Sequence, residues 1–179
     1  MAKVVSVSRD STHRFSKTPL QNITLVAGRG VTSDAHSGAK IQHRSRVTQD
    51  PNQPNLRQVH LIHEELLVEL HRKGFRISAG DLGENILTNG IDLLALSRGT
   101  RLHFPSSAVI EITGLRNPCR QLNDFAPGLM QAVLDYDEDN QLIRKAGIMA
   151  VVLESGPVVI GDSIRIEKPD TPFSKLQPV

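Results

Sequence analysis

The chain has 179 residues, one cysteine and a formal net charge of +2 at pH 7. Its length predicts one domain with a sizeable core, and its 39% hydrophobic and 22% charged residues are typical of globular proteins. So small a net charge does not require a nucleic-acid partner, and the 3% aromatic content argues against stacking on single strands.

The sequence also lacks the usual targeting signals. No early segment combines a basic start, an apolar core and a small-residue cleavage site, and no apolar run approaches the roughly 20 residues that span a bilayer. A single cysteine cannot form an internal disulfide, which suits a reducing compartment. We therefore expect a cytoplasmic protein with no nucleic-acid partner and no membrane partner.

The first third of the chain predicts two short strands and two polar loops. Apolar and polar residues alternate over Lys3–Ser8, which indicates a strand, and a second strand is predicted at Ile23–Val26. Arg9–Leu20, between them, is typical of a loop. Thr32–Pro54 is a longer polar segment with little periodicity, and such loops inside a domain are usually functional or disordered.

One clear amphipathic helix is predicted over Glu64–Lys73, after a strand at Gln58–Ile62. The helical period places Leu66, Leu67 and Leu70 on one face and leaves the charged residues largely elsewhere. Its acidic start and basic end suit the helix dipole.

Strand patterns dominate the second half, at Glu84–Leu87, Thr100–Phe104, Ala108–Thr113, Ile148–Glu154 and Ser163–Glu167. Short helices are predicted after Cys119 and from about Leu129. Many short strands with few helices predict a mainly β (α+β) fold, namely a β-barrel with a few peripheral helices. We assign residues 1–168 to this single domain and residues 169–179 to an irregular, exposed C-terminal tail.

The residues around Cys119 favour a reactive thiol. Asn117 and Pro118 are typical of a helix N-cap and a first helical position, which predicts that Cys119 lies in the first turn. Free backbone N–H groups and the helix dipole favour a thiolate there, and Arg116 and Arg120 add positive charge. The alternative is an inert core thiol, since free cysteines are often buried.

The polar loop after the second strand carries groups suited to chemistry or ligand binding. Asp34 is two residues from His36 and would orient it as an acid–base or cofactor-binding group. An ordinary loop capped by Asp34 is the alternative. Arg44 belongs to a small basic group with His43 and Arg46, and its loop position favours contact with an anion.

A third segment, Gly80–Asn85, has the sequence Gly-Asp-Leu-Gly-Glu-Asn. We expect Gly80 and Gly83 to serve backbone geometry. Asp81, Glu84 and Asn85 either cap a turn or line a site. Asn85 is the better candidate for ligand recognition, because its side-chain amide both donates and accepts hydrogen bonds.

The three segments, in this order, resemble the motifs of the MOSC family, which is related to the C-terminal domain of molybdenum cofactor sulfurase. Asp34–Gly38 is similar to the family's Asp-x-His-x-Gly motif, Gly80–Asn85 to its Gly-Asp-x-Gly-Glu-Asn motif, and Thr113–Cys119 to its cysteine motif. The similarity runs over about residues 26–167 and is strongest to short stand-alone bacterial members. Ser33 departs from the pattern, which has glycine before the aspartate. The family's β-rich barrel agrees with the strand pattern.

The resemblance implies binding of the molybdenum cofactor, a pterin with a dithiolene and a phosphate. Cys119 would then ligate molybdenum, and the protein would reduce N-hydroxylated or N-oxide compounds with electrons from an external donor protein. His36 is the second implied catalytic residue. The implied cofactor-binding residues are Arg116, Arg120, Asn85, Asn117, Asp34 and Arg44.

The resemblance also allows a sulfur carrier. In that case Cys119 holds a persulfide received from a cysteine desulfurase and delivers the sulfur to a metal–sulfur cluster or to a cofactor. A third alternative is a binding module that has lost catalysis. Both chemical functions need a thiolate, so the sequence leaves open whether Cys119 is a metal ligand or a carrier.

Overall fold

The computed structural model describes residues 1–40, 42, 48, 50 and 52–179. In chain order its strands are β1 Lys3–Arg9, β2 Thr18–Leu20, β3 Asn22–Val26, β4 Gly30–Val31, β5 Val59–His63, β6 Ile86–Asn89, β7 Arg101–His103, β8 Val109–Leu115, β9 Leu134–Tyr136, β10 Leu142–Arg144, β11 Ile148–Glu154, β12 Gly156–Val159 and β13 Arg165–Glu167. The helices are α1 Glu64–Arg72, α2 Gln121–Phe125 and α3 Leu129–Ala132, with a short 3-10 helix at Leu93–Ala95.

Eight strands form the main sheet, in the order β13-β7-β8-β11-β5-β6-β1-β2. Neighbouring strands are antiparallel except β5 and β6, which are parallel and are connected through α1. A parallel pair needs such a crossover connection, because a tight hairpin can join only antiparallel strands. A three-stranded sheet, β12-β3-β4, and the hairpin of β9 and β10 complete the mainly β architecture.

The predicted mainly β fold with a few short helices is confirmed, but the sheet is not a closed barrel: within the described residues, the end strands β2 and β13 do not pair with each other. One edge of β1 pairs with β6, and the other edge contacts two different segments. Its C-terminal half pairs with β2, from Val7 to Arg9. Its N-terminal half meets the segment before β13 at a bridge between Lys3 and Ser163, where Val4 donates its N–H to the Asp162 carbonyl at 2.8 Å and accepts the Gly161 N–H at 2.9 Å. The sheet ends therefore approach each other without forming a continuous ladder.

Two apolar clusters hold the layers together. The larger lies between the sheets and includes Val4 and Val7 of β1. A shift of register between Val4 and Ser6 lets both valines face this core, although they are three residues apart. The second cluster packs α1 and the two short helices against the main sheet, with Leu66, Leu67 and Leu70 buried as predicted.

The C-terminal segment is irregular but lies against β8. Leu115 donates its N–H to the Gln177 carbonyl at 2.8 Å, and Leu176 is buried in the larger core with 3% exposure. The expected exposed tail is therefore partly incorporated into the core. None of the described helices is long and apolar enough to cross a membrane.

Candidate functional site

A cavity of about 120 Å³ lies where the segment after β1, strand β5, the Gly83–Asn85 segment and the end of β8 meet. Among the described residues, the charged side chains that line it are all basic: Arg14, Lys17, Arg57 and Arg116. Three histidines, His13, His36 and His60, also line it, whereas no described aspartate or glutamate does. A cavity with this lining attracts a negatively charged ligand.

The Cys119 thiol lies beside this cavity rather than on its wall. Its Sγ atom is 3.5 Å from Oε1 of Gln121, which does line the cavity. The side chain is neither fully buried nor fully exposed, so a partner molecule could reach it. This geometry places the thiol at the edge of the basic cavity.

The predicted helical position of Cys119 is wrong. Helix α2 begins at Gln121, with Arg120 as the N-cap residue, so Cys119 precedes the helix. Asn117 is not the cap, because its side-chain oxygen accepts a hydrogen bond from Nε of Arg144 at 3.1 Å. The backbone at residue 116 instead extends the sheet, donating its N–H to the Gly147 carbonyl at 2.9 Å.

Arg116 connects the thiol to the cavity. It is 8% exposed, its Nη1 donates to the Leu82 carbonyl at 2.9 Å, and its guanidinium lies 5.5 Å from the centre of the Phe15 ring. Cys119 is also the largest influence that favours the charged guanidinium, ahead of Glu84. Burial lowers the pKa of Arg116, but negative charge at Cys119 and Glu84 opposes this shift. The side chain therefore supplies a buried positive charge next to the sulfur.

Asp34 is the centre of a buried polar network that holds three of the lining residues, Lys17, His36 and Asn85. Its Oδ2 is 2.8 Å from Nζ of Lys17, and its Oδ1 accepts the backbone N–H of His36 at 2.9 Å. The Nδ1 atom of His36 lies 3.4 Å from the same Oδ1, so the carboxylate orients the ring towards the cavity. Burial alone would raise the pKa of Asp34, but His36 and Lys17 hold it well below its usual range.

Asn85 lines the cavity, but its amide is bonded within the protein. Its oxygen accepts the backbone N–H of His60 at 3.1 Å, and its nitrogen donates to the Ser8 carbonyl at 3.1 Å and to Asp34 at 3.0 Å. The residue therefore connects β5 with β1 and helps to fix Asp34. The His60 ring is also buried, and its Nε2 is 2.8 Å from the Ala146 carbonyl. Burial, reinforced by Arg116, keeps the pKa of His60 well below its usual value.

Glu84 is a buried acid directly behind the cavity wall. Its Oε1 accepts the N–H of Gly80 at 2.5 Å, and its Oε2 is buried without a hydrogen-bond partner among the described residues. Burial raises the pKa of Glu84 to about 7, although the backbone N–H groups of Gly80 and of Glu84 itself, and then the charges of Arg116 and Lys17, oppose the shift. This carboxyl group is therefore close to half-protonated at neutral pH.

Two glycines of the Gly80–Asn85 segment let the segment after β1 cross over it closely. A Cβ atom at Gly83 would lie 2.5 Å from the Phe15 carbonyl oxygen, and one at Gly80 would overlap the Lys17 carbonyl oxygen. The Lys17 N–H in turn donates to the Gly80 carbonyl at 2.8 Å. This close crossing brings Phe15 and Lys17 to the cavity, and it explains why the segment contains glycines.

The structure thus brings together Cys119, Arg116, His36, Asp34 and Asn85. It does not bring the other candidates to the cavity. The Arg120 side chain is 92% exposed and pairs with Asp124 at 3.8 Å, and the Asn117 side chain is directed to Arg144. Arg44, with its neighbours His43 and Arg46, lies outside the described residues.

Sequence reasoning missed Lys17, the most buried of the lining cations. Its side chain is 5% exposed, yet it stands in a polar segment that has no periodicity to mark a buried position. Only the glycine pair at 80 and 83, which indicates a close backbone approach, could have pointed to a partner segment. Within the described residues, no group of three or more His, Cys, Asp and Glu side chains is placed to hold a metal ion.

Both the sequence and the fold are similar to those of known proteins. A sequence profile described as the MOSC domain matches residues 37–165. The chain is 30% identical over 155 residues to a Bacillus subtilis (strain 168) protein named "Putative metal-sulfur cluster biosynthesis proteins YuaD", with 76% of each chain covered.

Solved structures of related fold include the same YuaD protein. Its crystal structure matches with a TM-score of 0.77 and 25% identity, covering 95% of this chain and 98% of that one. The structure of YiiM from Geobacillus stearothermophilus matches with a TM-score of 0.67 and 15% identity, covering 98% and 80% of the two chains. YiiM from Escherichia coli matches with a TM-score of 0.63 and 16% identity, covering 96% and 73%. At these identities, the YiiM proteins are informative about the fold alone.

Proposed function

Because the chain belongs to the MOSC domain family and is of the short stand-alone type that YuaD represents, we propose that it carries sulfur as a persulfide on Cys119. The sulfur would be delivered during the assembly of metal–sulfur centres or during sulfuration of a cofactor. The observation that carries the proposal is a reachable thiol at the edge of a basic cavity, in electrostatic interaction with the buried guanidinium of Arg116. The name of the YuaD relative, which refers to metal-sulfur cluster biosynthesis, supports the same chemistry.

Loading needs only thiol–persulfide exchange. The Cys119 thiolate attacks the outer sulfur of a persulfide on a donor protein such as a cysteine desulfurase. A bond forms between Sγ and that sulfur, the donor's S–S bond breaks, and its electron pair leaves on the donor thiolate. No separate oxidant or reductant is consumed. The reverse exchange with an acceptor thiol would release the sulfur, and the cytoplasm would preserve the free thiol between cycles.

Arg116 would assist by stabilising negative charge on the Cys119 sulfur during both steps. A hydrogen bond that the guanidinium forms to the thiolate in these steps would contribute about 1.5–3 kcal/mol, which corresponds to a change in rate of about tenfold to 100-fold. His36, which lines the cavity and is held by Asp34, would supply or accept a proton as the sulfur changes charge.

Intact-mass spectrometry tests the proposal directly. After incubation with a cysteine desulfurase and cysteine, the wild-type protein should gain one sulfur atom that dithiothreitol removes, and Cys119→Ser should gain none. Arg116→Gln should load about ten times more slowly or worse, whereas Arg120→Gln is the matched control because that side chain is exposed and outside the cavity. The proposal would be contradicted if the wild-type protein gained no sulfur after this incubation, or if the two arginine variants loaded sulfur equally fast.

A second candidate function is binding of the molybdenum cofactor, and the basic lining of the cavity favours it. The side chains present are of the types that this cofactor needs. A soft thiol suits the metal, and the nearby cations suit the anionic part of the cofactor. Cys119 would ligate the metal, and Arg116 and Lys17 would face the anionic part of the cofactor. The bound cofactor would supply the redox chemistry for reducing N-hydroxylated or N-oxide compounds, with electrons from an external donor protein.

Asn85, Arg120 and Asn117, which the family resemblance implies as further cofactor ligands, are bonded elsewhere in this conformation. They would have to exchange these partners to contact the cofactor. Metal and pterin analysis separates the two candidates. Protein made in a cofactor-competent host should contain both components if the second function holds, and Cys119→Ala should lose the molybdenum. Purified protein free of metal and pterin that still loads sulfur would support the carrier alone.

A further inference from the structure

Four ionisable side chains form one buried cluster around the cavity. Lys17 and Asp34 are an ion pair with Nζ and Oδ2 2.8 Å apart, and their side chains are 5% and 2% exposed. Arg116 and Glu84, at 8% and 1% exposure, complete the cluster. Lys17 and Asp34 neutralise each other, whereas Arg116 has no carboxylate within salt-bridge distance in the described part of the chain. The net charge of the cluster therefore depends on Glu84.

The cluster has two states, which differ by one proton. When Glu84 is ionised, the two positive and two negative charges sum to zero. When Glu84 is protonated, the cluster carries one excess positive charge, which is costly in a buried site unless an anion balances it. One unit of negative charge on an anion in the cavity can thus replace the negative charge of Glu84, and the lining residues Arg14 and Arg57 carry positive charge towards the second unit of a dianion such as sulfate.

We propose that the cavity binds a small oxyanion at Lys17 and Arg116, and that Glu84 takes up a proton as the anion enters. The basic lining, the absence of a described acidic lining residue and the unpartnered Oε2 of Glu84 all support this exchange. An ammonium and a planar guanidinium are the groups that hold oxyanions most often. The cavity of about 120 Å³ holds one such group and is small for a complete larger ligand.

Glu84 is better placed than the histidines to exchange the proton. Among the described residues, the charged groups that act on it are Lys17, from the segment after β1, and Arg116, at the end of β8. An anion between these two cations weakens their attraction for the carboxylate. Burial makes protonation of His36 and His60 less favourable, whereas the buried Oε2 of Glu84 has no hydrogen-bond partner among the described residues and is available to take the proton.

This proposal goes beyond sulfur transfer, since it does not involve Cys119. Two sources of the oxyanion share the same chemistry: a free ion, or the phosphate group at the end of a larger molecule whose remainder lies outside the cavity. Calorimetry on the full chain, wild type and Cys119→Ser, separates anion binding from sulfur loading, because both proteins should bind the anion equally.

Sulfate is the appropriate probe, because it does not itself titrate near neutral pH. Titrations in two buffers with different ionisation enthalpies should show uptake of about half a proton per sulfate near pH 7, where the Glu84 carboxyl is half-ionised. Sulfate affinity should fall about tenfold between pH 6 and pH 8, as one-proton linkage requires. Glu84→Gln should bind sulfate without proton uptake and with an affinity that does not change with pH.

Lys17→Met and Arg116→Gln should each weaken sulfate binding at least tenfold, while the exposed control Arg120→Gln should not. Unchanged proton uptake in Glu84→Gln, or unchanged binding in both cation variants, would overturn the proposal. Infrared difference spectra of the wild type give a second measurement if a variant fails to fold. A protonated carboxyl band should appear on addition of sulfate, and its absence would also refute the assignment to Glu84.

A small phosphomonoester, such as glycerol 3-phosphate, identifies the source of the oxyanion. Sulfate that binds as tightly as the ester indicates a site for a free ion. Binding of the ester alone, with the same loss in Lys17→Met, indicates the phosphate end of a larger ligand. Failure of both compounds to bind would reject the proposal and leave sulfur loading at Cys119 to be judged by its own assay.

Discussion

Replacement of Gly80 by alanine should destabilise the fold by about 3 kcal/mol. Gly80 has φ +87°, a conformation that costs an L-residue about 1–2 kcal/mol. The new Cβ atom would also overlap the Lys17 carbonyl oxygen, and relieving such overpacking typically costs a further 1–3 kcal/mol. The lower entropy of the unfolded alanine chain returns about 0.4–1 kcal/mol.

The matched control is Gly74→Ala. Gly74 has nearly the same backbone angle, φ +90°, but a Cβ atom there meets no atom within 4 Å. This variant should lose only about 1 kcal/mol, since it carries the conformational cost without the overlap. The difference between the two variants isolates the crossing of the Lys17 segment over Gly80.

Thermal and urea unfolding measure both variants. For a chain of this size, about 3 kcal/mol corresponds to a fall in Tm of about 6–12 °C, against about 2–4 °C for the control. Gly80→Ala should also weaken sulfate binding, because the backbone that carries Lys17 must move. Equal destabilisation of the two variants, with sulfate binding intact, would refute the close crossing as the reason for this glycine.

Three further predictions concern the same network. Ser33 has φ +59°, so Ser33→Gly should raise the free energy of unfolding by about 0.5–1 kcal/mol in urea titrations, and an unchanged value would argue against strain at this turn. The raised pKa of Glu84, about 7 against 4.5 in the unfolded chain, gives a stability contribution that is complete below pH 4.5 and lost as the pH rises through 7. Glu84→Gln should therefore flatten the stability–pH curve and gain about 3 kcal/mol at pH 8 relative to pH 4, whereas a parallel curve would contradict it. Lys17→Met leaves the Asp34 carboxylate buried without its cation and should lower the free energy of unfolding by about 3–5 kcal/mol. Adding Asp34→Asn in the same chain should restore much of this loss, and denaturation of the single and double variants measures the coupling.

The regular elements were predictable because their patterns are local. Helix α1 was expected at Glu64–Lys73 and occupies Glu64–Arg72, since three leucines on one face decide its burial. The strand at Ile148–Glu154 has the expected bounds. Strand β2 was not foreseen, because it has three residues and contains Pro19, which is tolerated at the edge of a sheet but weakens the strand pattern.

The site was predictable only where motifs carried it. Cys119, Arg116 and His36 were found from their motifs, but the helix start at Asn117 was wrong because Arg144, 27 residues away, binds the Asn117 side chain. Such a long-range hydrogen bond overrides a local capping preference. Lys17 was not predicted for the same reason. Its burial depends on contacts with Asp34 and Gly80, which are distant in sequence and leave no local pattern.

The crossing at Gly80 and Gly83 also constrains how this cavity can diversify. Side chains of the segment after β1 line the cavity, whereas its backbone has a fixed path over the two glycines. Substitutions at positions such as His13 or Arg14 can therefore retune ligand preference without altering the route of the chain. An insertion in this segment, or a side chain at position 80 or 83, would change the path of the backbone. All the lining side chains that the segment contributes would then move together. Relatives with bulkier residues at these two positions should have cavities that differ in kind, and ligand assignments should not be transferred to them.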